Sequence, residues 1–209
     1  HGWPACRLEA RLYAQAAEKC GVRLIAIDRP GFGFSTFQEN RQLLDWPGDV
    51  IEVADHLKLQ QFRVLGHSGG GPYAAACAFA IPDRLLGTTV VAGLSPMDIA
   101  ETREGMRKMN QFLLTVGKRF PFVLNFMMGM TAKMSQKPEG LLQGIKDLPE
   151  VDRNLIEENV SDVVEALQSA FRQGTRAATQ EGVIYANKWG FDLKQISIPV
   201  KIWLGSLDV

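Results

Sequence analysis

The chain has 209 residues, with 23 Lys+Arg against 23 Asp+Glu and a formal net charge of zero. That balance argues against a role in coating nucleic acid or an acidic membrane, both of which need a basic surface. Its 46% apolar and 22% charged composition fits a folded globular protein of one domain, or one domain with an insertion, and excludes disorder and collagen-like repeats. The longest apolar stretch, from Phe120 to Met130, is interrupted by Pro121 and Asn125 and is well short of the roughly 20 residues of a membrane-spanning helix. Cys6, Cys20 and Cys77 are odd in number and lack paired spacing, so neither a disulfide framework nor a zinc site is expected. Reduced thiols and a cytoplasmic location are the corresponding expectation.

In chain order, residues 22–28 (VRLIAID) form an apolar run broken only by Arg23 and ended by Arg-Pro-Gly, which predicts a strand buried on both faces. Residues 62–66 (FRVLG), 88–92 (TTVVA) and 200–205 (VKIWLG) repeat that signature. Between the first two runs, Val50, Ile51, Ala54 and Leu57 recur at helical spacing, with Asp45 as the expected cap and Pro47 in the first turn. Residues 72–80 are Ala-rich, follow a glycine cluster and stop at Ile81-Pro82, predicting a second crossover helix. Strands alternating with helices imply an α/β fold, with a mostly parallel sheet and flanking helices. From about residue 95 to 197 the pattern turns helical, over 101–119, 122–134 and 161–188, as a large helical insertion would.

The segment Gly66-His67-Ser68-Gly69-Gly70 lies between a predicted strand and a predicted helix. A G-x-S-x-G turn needs small neighbours because the serine occupies a tight, strained strand-to-helix corner that lifts its hydroxyl out of the sheet. The amides opening the next helix favour a developing oxyanion there. A Gly-rich turn with a bystander serine is the alternative, and the flanking strand and helix argue against it.

At this point the sequence resembles the α/β-hydrolase family of serine-nucleophile enzymes with a helical lid, over the whole chain. The resemblance implies that Ser68 is the nucleophile in an elbow formed with Gly66, His67 and Gly70. His1-Gly2-Trp3-Pro4 looks like the family's His-Gly turn, which implies an oxyanion hole of the Trp3 and Gly69 amides. Asp28-Arg29-Pro30-Gly31-Phe32-Gly33-Phe34-Ser35 looks like its D-x-x-G-x-G-x-S loop, in which Asp28 is expected to brace the backbone and not to react. Gly205-Ser206-Leu207-Asp208 resembles the turn that bears the catalytic acid, with Asp98 as the alternative position.

A serine nucleophile needs a histidine base oriented by the carboxylate, and the family order places that histidine after the acid. The histidines present are His1, His56 and His67: one in the oxyanion turn, one on a crossover helix and one at the variable elbow position. The expectation is that the base is absent from these residues, that they form a fragment lacking both ends of the family fold, and that on their own they are neither stable nor active. Within that fold, residues 1–94 would form the core from the oxyanion turn, 95–193 the lid and 194–209 the core strand and acid turn. Phe112, Phe120, Phe122, Phe126, Met128 and Met130 are candidates for an acyl or leaving-group pocket, or for packing within the lid.

The function expected is hydrolysis of an ester, thioester or amide of a small to medium, largely apolar substrate, with no cofactor and no metal. The alternative is a non-catalytic protein of the same fold that binds a ligand or partner. Serine at position 68 speaks against the epoxide hydrolases and haloalkane dehalogenases of the fold, whose nucleophile is Asp.

Overall fold

In a computed structural model, residues 1–99, 101–104, 106, 108–146 and 148–206 are described. Among them the helices are α1 (Arg11–Lys19), α2 (Trp46–His56), α3 (Gly71–Ala80), α4 (Lys108–Arg119), α5 (Pro121–Met134), α6 (Pro138–Gly144), α7 (Glu150–Glu158), α8 (Val160–Ala170) and α9 (Arg176–Ala186). The strands are β1 (Phe62–His67), β2 (Leu85–Val91) and β3 (Val200–Trp203). No helix among the described residues is long and apolar enough to cross a membrane. The chain divides into two compact units, one of His1, 3–38 and 122–179, the other of Gly2, 39–121 and 180–209.

The second unit holds the sheet. Its order is β1-β2-β3 and both pairings are parallel, Val64 standing opposite Thr88 and Val90 opposite Ile202. Parallel neighbours need crossover connections, and α3 provides the one between β1 and β2. Every residue of α3 from Gly71 to Ala78 is buried, which its small side chains allow. Cys77 and Ala78 pack with Leu85 against Trp46, Val50, Phe62, Val64, Ile81, Ile196, Ile198 and Val200. Apolar contact between α2, α3 and the strands is thus the core that fixes the end of β1.

The first unit joins residues 3–38 to the later helices. The Cys6 thiol donates to the Ala166 carbonyl of α8 at 3.2 Å, and the Gln173 amide donates to the carbonyls of Gly33 and Ser35 at 3.0 and 2.8 Å. Two guanidinium groups lie over the Phe34 ring, Arg7 at 5.1 Å and Arg172 at 4.5 Å from its centre.

Three local expectations change. Residues 22–28 form no strand, and Val22, Leu24 and Ile25 are 57, 44 and 40% exposed. A buried strand needs partner strands on its flanks, and all three strands described belong to the other unit. Asp45 does not cap α2 through its side chain; its carboxylate instead accepts from the Gln42 amide at 2.7 Å, closing a 3-10 turn ahead of the helix. The helix expected over 161–188 is two helices, because the chain turns at Gly174 with φ +90°, a left-handed backbone that breaks the helical path.

Candidate active site

β1 ends at His67, a single 3-10 turn spans Ser68–Gly70, and α3 begins at Gly71. Ser68 therefore sits at the carboxyl end of a parallel strand, where open α/β sheets build their sites, and just ahead of the free amides of a helix N-terminus. Its φ is +50°, a left-handed conformation that a non-glycine residue adopts at a cost of about 1–2 kcal/mol. The corner is tight: a Cβ at Gly66 would overlap the Gly70 carbonyl and stand 2.8 Å from the Ala74 Cβ. Gly69 and Gly70 are buried, while Ser68 and His67 are partly exposed. The strand, strained serine and helix expected at G-x-S-x-G are all in place.

A buried polar cluster lies in the same unit. The Tyr185 hydroxyl is 2.8 Å from the Gly69 carbonyl oxygen and 3.0 Å from Glu181 Oε2. Glu181 Oε1 takes an ion pair from Arg41 at 2.5 Å, with side-chain exposures of 0% and 2%. The Arg41 guanidinium covers the Tyr73 ring at 5.2 Å, and Tyr73 meets Tyr185 edge-on at 6.1 Å. Sequence reasoning did not single out Arg41, Glu181 or Tyr185. The one local signal is the i,i+4 spacing of Glu181 and Tyr185 on α9 among Ala177, Ala178 and Ala186, which marks a charge on a buried face.

In the first unit, Asp28 is 8% exposed. Its carboxylate accepts from the Arg7 amide at 2.8 Å, from the Phe34 amide at 3.2 Å and from the Arg7 guanidinium. It braces a turn, as expected, and Gly33 (φ +50°) leaves room that any Cβ would take from that carboxylate. His1 is part of the same frame: its Nε2 accepts from the Arg29 amide at 3.2 Å, its carbonyl accepts from the Arg29 guanidinium at 2.5 Å, and its ring meets Phe32 edge-on at 5.4 Å. The Trp3 indole donates to the Ala178 carbonyl at 2.8 Å.

Asp208, the expected acid, lies outside the described residues. Asp98 is exposed in a turn beyond β2, and His56 is exposed at the last position of α2.

The α/β-hydrolase fold family model matches residues 1–178. The chain belongs to that family. Epoxide hydrolase B of Mycobacterium tuberculosis is 35% identical over 98 residues, which are 46% of this chain and 27% of that protein. A serine hydrolase-like protein of Dictyostelium discoideum is 32% identical over 85 residues, 39% of this chain and 24% of that one. The chain thus matches about a quarter of the length of these curated relatives. Among solved structures, a thermophilic esterase from Thermogutta terrifontis superposes with a TM-score of 0.67 at 21% identity, covering 100% of this chain and 71% of the esterase. At that identity the likeness speaks for the fold alone, and the sheet with flanking helices is this family's.

Proposed function

We propose that the protein is a serine hydrolase that cleaves an ester, thioester or amide of a small to medium, largely apolar substrate through an acyl-enzyme. The observation that carries this reading is the left-handed backbone of Ser68 (φ +50°) at the strand-to-helix corner. Such strain clusters at functional sites; Asn40, Lys58 and Ala92 are left-handed too, and of the four only Ser68 carries a nucleophilic side chain at the corner between a strand end and a helix N-terminus.

In the proposed reaction, Ser68 Oγ attacks the substrate carbonyl carbon as a histidine base takes its proton, and the carbonyl electron pair moves onto oxygen. The amides of Gly69 and, through the resemblance of His1-Gly2-Trp3-Pro4 to the family turn, of Trp3 donate to that oxyanion. The tetrahedral intermediate collapses, and the leaving group departs with the proton returned by the histidine. Water then attacks the acyl carbon by the same path and releases the acid. Asp208 orients that histidine. Residues 95–193 form the lid.

The name of the mycobacterial relative raises epoxide opening as a second chemistry, and Ser68 speaks against it. A carboxylate nucleophile that opens an epoxide forms an ester, which water cleaves; a serine would form an ether, which water does not cleave, and turnover would stop after one event. An acyl group on serine is an ester, so the cycle closes. The name of the Dictyostelium relative agrees with the serine chemistry.

The test is reaction of the full-length protein with a fluorophosphonate, together with hydrolysis of p-nitrophenyl esters of increasing acyl length. Labelling that disappears in Ser68→Ala supports the reading. A folded full-length protein that does not label would leave a non-catalytic ligand- or partner-binding role.

A further inference from the structure

A strained residue persists only where its surroundings hold it, and several of the contacts around Ser68 can be named. The Ser68 carbonyl accepts from the Gly71 amide at the head of α3 and from the Leu94 amide at 3.2 Å. The next carbonyl along, that of Gly69, accepts from the Tyr185 hydroxyl at 2.8 Å, across 116 positions of sequence. A phenol has a single proton to donate, and Tyr185 faces two acceptors, the Gly69 carbonyl and Glu181 Oε2. The phenol proton is therefore shared between them, with the Gly69 carbonyl the nearer acceptor, while the Arg41 guanidinium, 2.5 Å from Glu181 Oε1, holds the carboxylate in place. Arg41 and Glu181 in turn fix where the phenol stands, because all three groups are buried.

We infer that Tyr185 is a positioning residue for the nucleophile: its hydroxyl, anchored by the Arg41–Glu181 pair, clamps the Gly69 carbonyl and so sets the orientation of Ser68 and of the Gly69 amide. The functional half of this inference rests on Ser68 being the nucleophile; the clamp itself does not. Glycine is the residue least able to hold its own backbone angles, so an external clamp at Gly69 matters more than it would at a residue with a side chain. A misplacement of about 1 Å at a reacting group can cost on the order of 100-fold in rate.

Tyr185→Phe in the full-length protein removes the oxygen and keeps the ring against Tyr73. Three quantities are read in parallel: kcat and KM for a p-nitrophenyl ester, the rate of fluorophosphonate labelling, and amide hydrogen exchange across residues 66–72 compared with β2 and α2. The clamp predicts that kcat and the labelling rate fall at least about tenfold with KM within about twofold, the signature of lost transition-state alignment. Exchange should accelerate at the elbow and not in β2 or α2. Unchanged elbow exchange, exchange that rises equally in all three segments, or a locally looser elbow with kcat intact would each overturn the inference. If the unsubstituted protein neither labels nor hydrolyses the ester, the nucleophile reading fails by itself. The positioning role falls with it, and the exchange data then decide whether the clamp exists.

Discussion

Arg41 and Glu181, 140 residues apart in sequence, face each other at 2.5 Å with both side chains withdrawn from solvent. A buried pair of this kind contributes little net stability over a well-packed apolar pair, yet losing one partner strands an uncompensated charge, at a cost of about 3–5 kcal/mol. Arg41→Leu and Glu181→Leu are each expected to lower the free energy of unfolding, read from urea titration, by an amount in that range. The double variant should lose less than the sum of the two, and an additive double variant would mean the charges do not meet.

Ser68 offers a cleaner comparison, because its strain lies in the backbone. Glycine adopts φ +50° without a Cβ penalty, so Ser68→Gly should be more stable than Ser68→Ala by about 1 kcal/mol. Both should be inactive. Denaturant unfolding of the two variants measures the difference directly, and equal stabilities would count against a left-handed Ser68.

The three thiols divide by environment. Burial pushes the Cys77 thiol up to about 12 and raises that of Cys6, whereas Cys20 is exposed. Thiolate is the reactive form, so a maleimide or iodoacetamide at about pH 8 should modify Cys20 alone in the folded protein and all three after denaturation. Raising the pH towards 10 should leave Cys77 protected, since its folded-state value lies higher still. Mass spectrometry of the intact protein gives the count.

Asp49, on α2, has its carboxyl raised above the usual carboxylate range, first by burial, then by Glu52 and Asp45, with Arg41 opposing. A folded-state value above the unfolded one means that the native protein binds the proton more tightly. Stability therefore falls as pH rises through that window and stays lower above it. Asp49→Asn removes the penalty. It should melt higher than the unsubstituted protein at neutral pH, and the two should converge near pH 3, where both carry a neutral side chain at position 49.

How much of this could be read from the chain depends on how local each signal is. The corner at Ser68 is written in eleven consecutive residues, Phe62 to Pro72: a short strand run, glycines on both sides of a serine and then proline in a first helical turn, each serving the same geometry. Residues 22–28 carry an equally strong apolar run, yet no strand forms, because a ladder is made with a partner and a run cannot name its partner. The break at Gly174 was marked by the glycine itself, but the helical periodicity on both sides outweighed it. Arg41, Glu181 and Tyr185 were illegible for a different reason. Their meaning lies in a meeting of residues 41, 69, 181 and 185, and only Glu181 and Tyr185 are close enough in sequence to leave a periodic trace.

The sheet described above has β1 and β3 as its outer strands among the described residues. Leu65, Ile202, Trp203 and Leu204 on or beside them are 53, 73, 66 and 68% exposed. Unpaired amides and carbonyls next to large apolar side chains are a template on which another chain can add a strand. Self-association would therefore begin along β1 and β3, where the edge of one copy can add to that of another.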